Sequence, residues 1–271
     1  MTTRLLDCHN HLQDGRLGSA REGILVETRK LGVDRMVVNG TREADWAAVA
    51  ELARRDERIL PSFGLHPWYV PEATPDWPAN WLRYLTAVPS AVGEIGLDRW
   101  ISGYDSASQE AAFLTQWRVA AERNLPVTVH CLRAWGRLLE LVTAEARPEC
   151  GFLLHSYGGP PEMIPAFTKL GAYFSISGYF AQPRKAKQAQ AFRAVPMERL
   201  LIETDAPDML PPDRLIRLPL SDPATGTLIN HPGNLGAIYE FAAELRGMTV
   251  AELASQVEGN FGRLFGGIGR R

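Results

Sequence analysis

Histidines at the ends of short apolar segments are the residues of this chain best suited to chemistry. Five of the six histidines occupy such positions: His9, His11, His66, His130 and His155. A neutral imidazole is the commonest metal ligand that a protein offers. A single histidine is more often a hydrogen-bonded structural residue, but five histidines at the ends of predicted strands indicate a metal site.

The first two histidines are separated by one residue. His9 and His11 lie in an apolar segment of β-strand character, and because side chains alternate along a strand, both imidazoles point to the same side. Two imidazoles on one face can share a cation. Asp7 has the same parity, and we expect it to orient one of them. The alternative interpretation is a chance His-Asn-His at a strand end.

Two acidic residues lie in similarly apolar surroundings. Glu94 interrupts the segment AVGEIGLD, where a buried carboxylate needs a cation or a hydrogen-bond donor. Asp205 directly follows the segment LLIET. A salt bridge with Arg99 is the alternative interpretation for Glu94. With the histidines, these acids predict six metal ligands: His9, His11, Glu94, His130, His155 and Asp205.

The order of the ligands along the chain suggests two divalent cations. His130 and His155 end consecutive predicted strands and can hold a second cation, while Glu94 comes from a strand between the two histidine groups and is the natural bridge. Such ligands suit Zn²⁺ or Mn²⁺ better than an all-oxygen Mg²⁺ site, and the choice among the three stays open. Two cations of this kind activate a water molecule and stabilise charge on an ester or phosphoryl oxygen, and Asp205 can accept the proton.

The elements that must position these residues alternate regularly along the chain. Short segments rich in β-formers are followed by longer ones whose apolar residues recur every three or four positions. Strands are predicted over residues 4–11, 34–39, 59–66, 91–97, 126–132, 151–156, 172–177 and 200–204, and helices over 45–56, 106–124, 134–146, 235–246 and 250–265, among others. The pattern predicts an α/β fold, a single-domain (β/α)₈ TIM barrel over residues 1–271 with extra C-terminal helices.

In such a barrel the carboxyl ends of the strands form the catalytic face, and strand eight closes against strand one. We therefore expect Asp205 beside His9 and His11. The proline-rich stretch 206–232 is predicted to be a long loop bordering the site.

Composition narrows the classes of protein. The 271 residues carry a net charge of −2, which argues against a broad basic face that grips long duplex DNA. The three cysteines, Cys8, Cys131 and Cys150, favour neither a disulfide framework nor a thiolate zinc site. No segment resembles a secretory signal or a membrane span. We expect a cytoplasmic protein without membrane association, and a monomer.

Six motifs resemble, in this order, those of the TatD family of metal-dependent deoxyribonucleases among the amidohydrolase-like barrels: DCHNHL, SFGLHP, GEIGLD, PVTVHC, LLHSYGG and IETDAP. The resemblance spans nearly the whole chain. It implies a TIM barrel with a divalent-metal centre that hydrolyses phosphodiester bonds of DNA, often from a 3′ end. By motif it carries over the same six ligands and makes Asp205 the general base, with Glu94 as the second catalytic residue.

The resemblance also suggests substrate contacts. It implies that His66 binds substrate phosphate and not the metal, whereas the alternative is a histidine that fixes the loop before Pro67. Basic residues near strand ends are candidate phosphate ligands, although such residues are usually only solvated: Arg99, Arg133 and the 184–187 cluster. Four aromatic residues there are candidates to stack on bases, or else pack loops: Trp68, Tyr69, Trp100 and Trp135.

The function favoured by these observations is a 3′–5′ exodeoxyribonuclease acting on single-stranded DNA or DNA ends. A second candidate is a binuclear-metal hydrolase of a carbon centre, such as an amide, a lactone or an aminoacyl ester. The presence of Glu94, where a carboxylated lysine would stand on strand four, favours the first. A third candidate is a non-enzymatic metalloprotein, which the open face of the site disfavours because structural sites close their coordination.

Overall fold

The computed structural model of the protein describes residues 3–268. Eight short segments of mostly apolar residues form parallel strands in chain order. Their bounds are β1 Leu5–Asn10, β2 Val33–Asn39, β3 Ile59–Phe63, β4 Ala91–Asp98, β5 Val127–Leu132, β6 Phe152–Leu154, β7 Ala172–Ile176 and β8 Leu200–Ile202. Nearly every strand residue is buried because the strands are covered on both faces, as parallel sheets require.

Each strand pairs with its neighbour in the chain, and the two ends of the sheet meet just beyond β8. The N–H of Asp205 donates to the carbonyl of His9 over 2.9 Å, and the N–H of His11 donates to the carbonyl of Ala206 over 2.7 Å. These backbone bonds close the barrel. The predicted (β/α)₈ barrel is therefore confirmed, and Asp205 lies beside the first strand as expected.

Nine α-helices lie within residues 3–268. They are α1 Arg21–Lys30, α2 Glu43–Arg55, α3 Trp77–Ala87, α4 Ser106–Arg123, α5 Trp135–Ala144, α6 Ile164–Lys169, α7 Ala186–Ala191, α8 Leu235–Arg246 and α9 Val250–Phe265. The five predicted helices are present within about two residues at each end. In α9, Thr249 and Glu252 cap each other's backbone N–H groups, a capping box that fixes where the helix begins. None of these helices is long and apolar enough to cross a membrane.

Three predicted strands end at least two residues earlier than expected, the eighth at Ile202 instead of residue 204. The third was predicted to reach residue 66 but ends at Phe63, and the sixth was predicted to reach residue 156 but ends at Leu154. After Phe63 the backbone leaves the ladder, and the N–H of His66 donates to the carbonyl of Thr41 over 2.8 Å. His66 then caps a 3₁₀ turn over Pro67–Glu72.

The loop after β8 follows the prediction for residues 206–232, apart from small local elements. It contains a short turn at Asp213–Leu215 and a two-stranded hairpin of β9, Leu220–Ser221, and β10, Leu228–Ile229. Its first residues pass over the carboxyl end of the barrel.

A glycine sets the spacing of the two strands that carry Glu94 and His130. A Cβ atom at Gly96 on β4 would overlap the carbonyl oxygen of His130 on β5. Only glycine permits this approach, which brings the ends of the two strands together.

Candidate metal centre

A cavity of about 560 Å³ opens at the carboxyl end of the barrel. Five of the six predicted ligands line it: His11, Glu94, His130, His155 and Asp205. The sixth, His9, is completely buried directly beside them. The structure therefore brings all six side chains together, although they come from five different strands and strand ends.

One group of these side chains surrounds the Oε2 atom of Glu94. The Nε2 atom of His9 lies 3.4 Å from Oε2 of Glu94 and 3.3 Å from Oδ1 of Asp205. The Nε2 atom of His11 lies 3.2 Å and 3.4 Å from the same two oxygens. The two imidazole nitrogens are 3.2 Å apart. Four donor atoms thus converge on one point.

The spacing of these atoms matches a cation's coordination shell. A tetrahedral cation with bonds of roughly 2.0–2.1 Å separates its ligand atoms by about 3.3–3.4 Å. The five distances in this group lie between 3.2 and 3.4 Å. The group fits a divalent first-row cation without rearrangement.

A second group surrounds the other carboxylate oxygen of Glu94. Its Oε1 atom lies 2.8 Å from Nε2 of His155, 3.0 Å from Nδ1 of His130 and 3.4 Å from Nε2 of His66. The two facing nitrogens of His130 and His155 are 3.3 Å apart. Glu94 therefore presents one oxygen to each group, which is the arrangement of a bridging carboxylate.

The imidazole hydrogen bonds determine which nitrogen is free to bind a cation. Nδ1 of His11 donates to the carbonyl of Asn39 over 2.8 Å, and Nε2 of His130 donates to Oδ2 of Asp98 over 2.9 Å. The proton on those atoms leaves the lone pair of the opposite nitrogen pointing into the cluster. In their neutral form both rings thus have the tautomer of a metal ligand.

In His66 the two ring nitrogens have the opposite roles to those in His11, because Nδ1 is the acceptor. Its Nδ1 accepts a hydrogen bond from the N–H of Trp68 over 3.1 Å, so the proton of the neutral ring sits on Nε2. Burial lowers the pKa of His66 to about 4, so the ring is neutral at neutral pH. Its Nε2 donor therefore faces Oε1 of Glu94, 3.4 Å away, at the wall of the cavity.

The electrostatics of the cluster favour an anionic bridge. Burial would raise the pKa of Glu94, but the neighbouring imidazoles, His155 above all, lower it well below its usual range. The pKa of Asp205 is lowered in the same way, against burial, by His11 and His9. Both carboxylates are thus held as anions, the form that binds a cation.

The conformation of Asp205 also serves the site. Its φ angle is +53°, in a left-handed region that few residues other than glycine adopt. This turn at the end of β8 coincides with the two backbone bonds that close the barrel and with the approach of its carboxylate to His9 and His11.

Asp98 is a site residue that the sequence reasoning missed. It stands four positions after Glu94 on β4, so the two side chains share a face, which is the signal that would have found it. Besides His130, its carboxylate accepts hydrogen bonds from Nε1 of Trp68 over 2.7 Å and from the N–H of Trp100 over 2.6 Å. Burial opposes ionisation, but the hydrogen bond from His130 lowers its pKa to about 2.

Asp7 acts differently from the expectation. Its carboxylate accepts hydrogen bonds from the backbone N–H groups of His9 and Thr204 and from the hydroxyl of Thr204, not from an imidazole. It therefore ties the ends of β1 and β8 together. Glu203 is buried and is held by the hydroxyls of Ser156 and Ser175, with its Oε1 3.7 Å from Nδ1 of His155.

The cavity walls carry a different set of basic residues from the one expected. Arg16 and Arg42 line the cavity, whereas Arg99 is not among its lining residues and lies 3.9 Å from Glu110. Arg16 donates to both Asp14 and Asp208. The sequence contains no local signal for these arginines, because their positions depend on how the rim loops fold back.

The candidate aromatic residues separate into two kinds. Trp68 and Tyr69 line the cavity, whereas Trp100 is exposed just after β4 and is not among the lining residues. Trp135 instead packs against Tyr157, with ring centroids 4.6 Å apart, and so has the loop-packing role that was the alternative.

Proteins similar in sequence to this chain are named as exonucleases. The chain is 30% identical over 268 residues, covering 97% of its length and 99% of the relative's, to a protein of Escherichia coli (strain K12) named "3'-5' ssDNA/RNA exonuclease TatD". A protein of Pantoea ananatis with the same name is 31% identical, covering 97% of this chain and 99% of the relative. These names agree with the expectation of a hydrolase that acts on phosphodiester bonds.

Solved structures agree in fold. The YJJV protein of Escherichia coli K12, described as a TatD homologue, superimposes with a TM-score of 0.88 at 26% identity, covering 98% of this chain and 99% of its own. A TatD family hydrolase from Entamoeba histolytica superimposes with a TM-score of 0.83 at 18% identity, covering 98% and 99%. The family model described as TatD related DNase matches residues 6–266. The chain therefore belongs to the TatD family of related DNases.

Proposed function

We propose that this protein is a metal-dependent phosphodiesterase that removes nucleotides from the 3′ end of single-stranded DNA. The observation that carries the proposal is the position of Glu94 between two groups of donor atoms, with one carboxylate oxygen facing each group. Relatives of this chain are named as 3′–5′ exonucleases of single-stranded DNA and RNA. RNA is therefore a second polymer to be tested.

Two divalent cations fit the donor groups. His9, His11 and Asp205 would hold one, His130 and His155 the other, and Glu94 would bridge them. Imidazole and carboxylate donors suit Zn²⁺ or Mn²⁺, and Mg²⁺ remains a candidate to be tested. When bound, a pair of such cations activates a water molecule and neutralises charge on the phosphoryl oxygens of an in-line displacement.

The protein's own residues then have separable tasks. Asp205, anionic and open to the cavity, accepts the proton of the attacking water. Asp98 holds the His130 ring in the tautomer that leaves Nδ1 free. The Nε2 proton of His66 lies 3.4 Å from Oε1 of Glu94 at the cavity wall, where it can instead donate to a phosphate oxygen of a bound substrate.

The shape and charge of the cavity support a strand end as the substrate. Its volume of about 560 Å³ is in the range of sites that hold a small ligand, such as a terminal nucleotide, and not a long duplex. Arg16 and Arg42 are the arginines on its walls, but Arg16 is paired with Asp14 and Asp208, so a substrate phosphate has to compete with these carboxylates for its guanidinium group. Arg99 does not line the cavity and would contact the substrate only outside it.

The remaining expectations belong to the same proposal. The barrel and its surrounding helices share one hydrophobic core, which supports the expectation of a single domain. A monomer in the cytoplasm, acting on nucleic acid without membrane association, stays a prediction.

The test is cleavage of 5′-labelled single-stranded DNA after removal of metal and reconstitution with Mn²⁺, Mg²⁺ or Zn²⁺. Wild type, Asp205→Asn and Asp213→Asn are compared, the last being a matched control because Asp213 is exposed in the same loop and does not line the cavity. We expect a metal-dependent ladder that shortens from the 3′ end, abolished by Asp205→Asn and retained by Asp213→Asn.

Other outcomes would point elsewhere. Internal fragments without a ladder would replace the exonuclease with an endonuclease. A folded, metal-loaded wild type that cleaves neither DNA nor RNA would contradict the proposal and lead to assays of amides, lactones and aminoacyl esters.

A further inference from the structure

The most exposed aromatic side chains of residues 3–268 follow two neighbouring strands at the carboxyl end of the barrel, the end at which the cavity opens. Among residues 3–268, the large aromatic side chains with the greatest exposure are Trp68, Trp100 and Tyr104, at 46%, 62% and 38%. All three follow β3 or β4 at the carboxyl end of the barrel. Single exposed apolar side chains are common on protein surfaces, whereas a group of them on adjoining loops is typical of an interaction site.

Both tryptophans are anchored to one carboxylate. Asp98 accepts a hydrogen bond from the indole Nε1 of Trp68 over 2.7 Å and from the backbone N–H of Trp100 over 2.6 Å. The same carboxylate holds the ring of His130. The indole of Trp68 is therefore fixed at its polar edge while much of its surface stays open, and Trp68 also lines the cavity.

Positive charge accompanies the aromatic surface. The guanidinium carbon of Arg133, which follows β5, lies 4.3 Å from the ring centroid of Trp100. That of Arg42 lies 4.3 Å from the ring centroid of Tyr69, which follows Trp68 in the chain and also lines the cavity. Aromatic faces beside guanidinium groups are the combination that binds single-stranded nucleic acid, because bases stack on the rings and phosphates meet the cations.

We propose that Trp68 and Trp100 form a stacking surface for the unpaired nucleobases at the 3′ end of the substrate, with Trp68 against the base nearest the metal centre and Trp100 farther out. We call these two residues the aromatic rim. Every base has a π face, so the rim selects for unpaired bases and not for a base sequence. It thereby deepens the proposed exonuclease function, on which it rests, by specifying how a single strand is recognised.

The test compares two substrates that differ only in their bases. One is a 5′-labelled oligothymidylate, and the other is the same oligomer with abasic residues at its last two 3′ positions. The variants are Trp100→Leu, which leaves the cavity lining intact, and Trp68→Leu and Trp68→Phe, which separate loss of the ring from loss of the Nε1 donor. Leu31→Ser is the control, since Leu31 is also exposed, at 47%, but follows α1 at the opposite end of the barrel.

We expect Trp100→Leu to lower kcat/KM on oligothymidylate by about 5- to 150-fold, mainly through KM, which is the range found for base-stacking aromatics. On the abasic substrate the effect should fall within about twofold. Trp68→Phe should retain more of the discrimination between the two substrates than Trp68→Leu. Leu31→Ser should match wild type on both. Thermal unfolding of each variant confirms that it is folded.

The aromatic rim and the exonuclease function would be contradicted by different results. If the Trp100 and Trp68 variants lose equal activity on both substrates, the residues do not stack on bases and the rim proposal is wrong, while the exonuclease function stands. If wild type cleaves neither substrate, the exonuclease function itself fails.

A binding measurement supplies a readout without catalysis. Oligothymidylate should quench tryptophan fluorescence of the metal-stripped protein, an oligomer without bases should not, and the Trp68→Leu/Trp100→Leu double variant should lose the quenching. Undiminished quenching in the double variant would exclude the aromatic rim as the stacking surface.

Discussion

Nε2 of His130 lies 2.9 Å from Oδ2 of Asp98, so a buried carboxylate orients an imidazole whose other nitrogen faces the bridging Glu94. Of the predicted metal ligands, His130 alone is hydrogen-bonded to the carboxylate of Asp98. The other donors to this carboxylate are Nε1 of Trp68 and the backbone N–H groups of Trp100 and Ile101. The aromatic rim and the metal centre are thus joined through one side chain.

Asp98→Asn is expected to weaken metal binding by about 10- to 100-fold, because partners of this kind fix the tautomer and the basicity of the ligand. Titration of the metal-stripped protein with Zn²⁺ or Mn²⁺ by calorimetry measures the change. Asp105→Asn is the control, since Asp105 caps the exposed start of α4 and asparagine caps a helix equally well. Equal affinities of wild type and Asp98→Asn would show that Asp98 does not support the site.

Removal of metal is expected to abolish activity and leave the barrel folded, because the apolar core is continuous without the ligand cluster. Each cation present at about 100 times its Kd adds about 2.7 kcal/mol of stability, so loss of one should lower the Tm by roughly 5–10 °C and loss of both by roughly twice that. Circular dichroism and thermal melts with and without chelator measure both effects. Loss of secondary structure on chelation would instead indicate a structural metal site.

Asp56→Asn is expected to destabilise the fold by about 3–5 kcal/mol, because it leaves the Arg58 guanidinium buried without its carboxylate. Nε and Nη2 of Arg58 both donate to Asp56, and its remaining donors reach the carbonyls of Leu25 and Val33, so Arg58 joins α1 to the barrel. Urea denaturation measures the free energy of unfolding.

The matched control for this ion pair is Asp34→Asn. Asp34 pairs with Arg4 at the surface, where the guanidinium side chain is 56% exposed, so about 0–1 kcal/mol is expected. Similar losses in the two variants would mean that burial does not determine the strength of the Asp56–Arg58 pair.

The Asp56–Arg58 pair also predicts that the free energy of unfolding depends on pH. Burial raises the pKa of Asp56, but the hydrogen bonds and charge of Arg58 lower it further than burial raises it, so the folded pKa lies below the unfolded one. The stabilisation is then complete above the unfolded pKa of roughly 3.9 and is lost as the pH falls through the folded pKa.

The difference in unfolding free energy between wild type and Asp56→Asn should therefore be constant from about pH 7 to pH 5 and shrink below about pH 4. Denaturation curves across this range measure it. A difference that grows on acidification would have the wrong sign for a depressed carboxylate pKa.

The sequence by itself determined the fold class and the types of the candidate ligands. Strands and helices follow from local periodicity, and the parity of His9 and His11 requires only that β1 is a strand. The proximity of Asp205 to these histidines followed from the closure of an eight-stranded barrel, which needs only the number and order of the strands.

Only the tertiary structure decided how the ligands are oriented and what surrounds them. The division of the two Glu94 oxygens between two groups depends on rotamers set by packing across β1, β4, β5 and β6. Arg16 and Arg42 line the cavity while Arg99 does not, because each rim loop takes its path from contacts with distant segments. Those contacts have no local signature in the sequence, since the residues that make them are separated along the chain and meet only when the barrel closes.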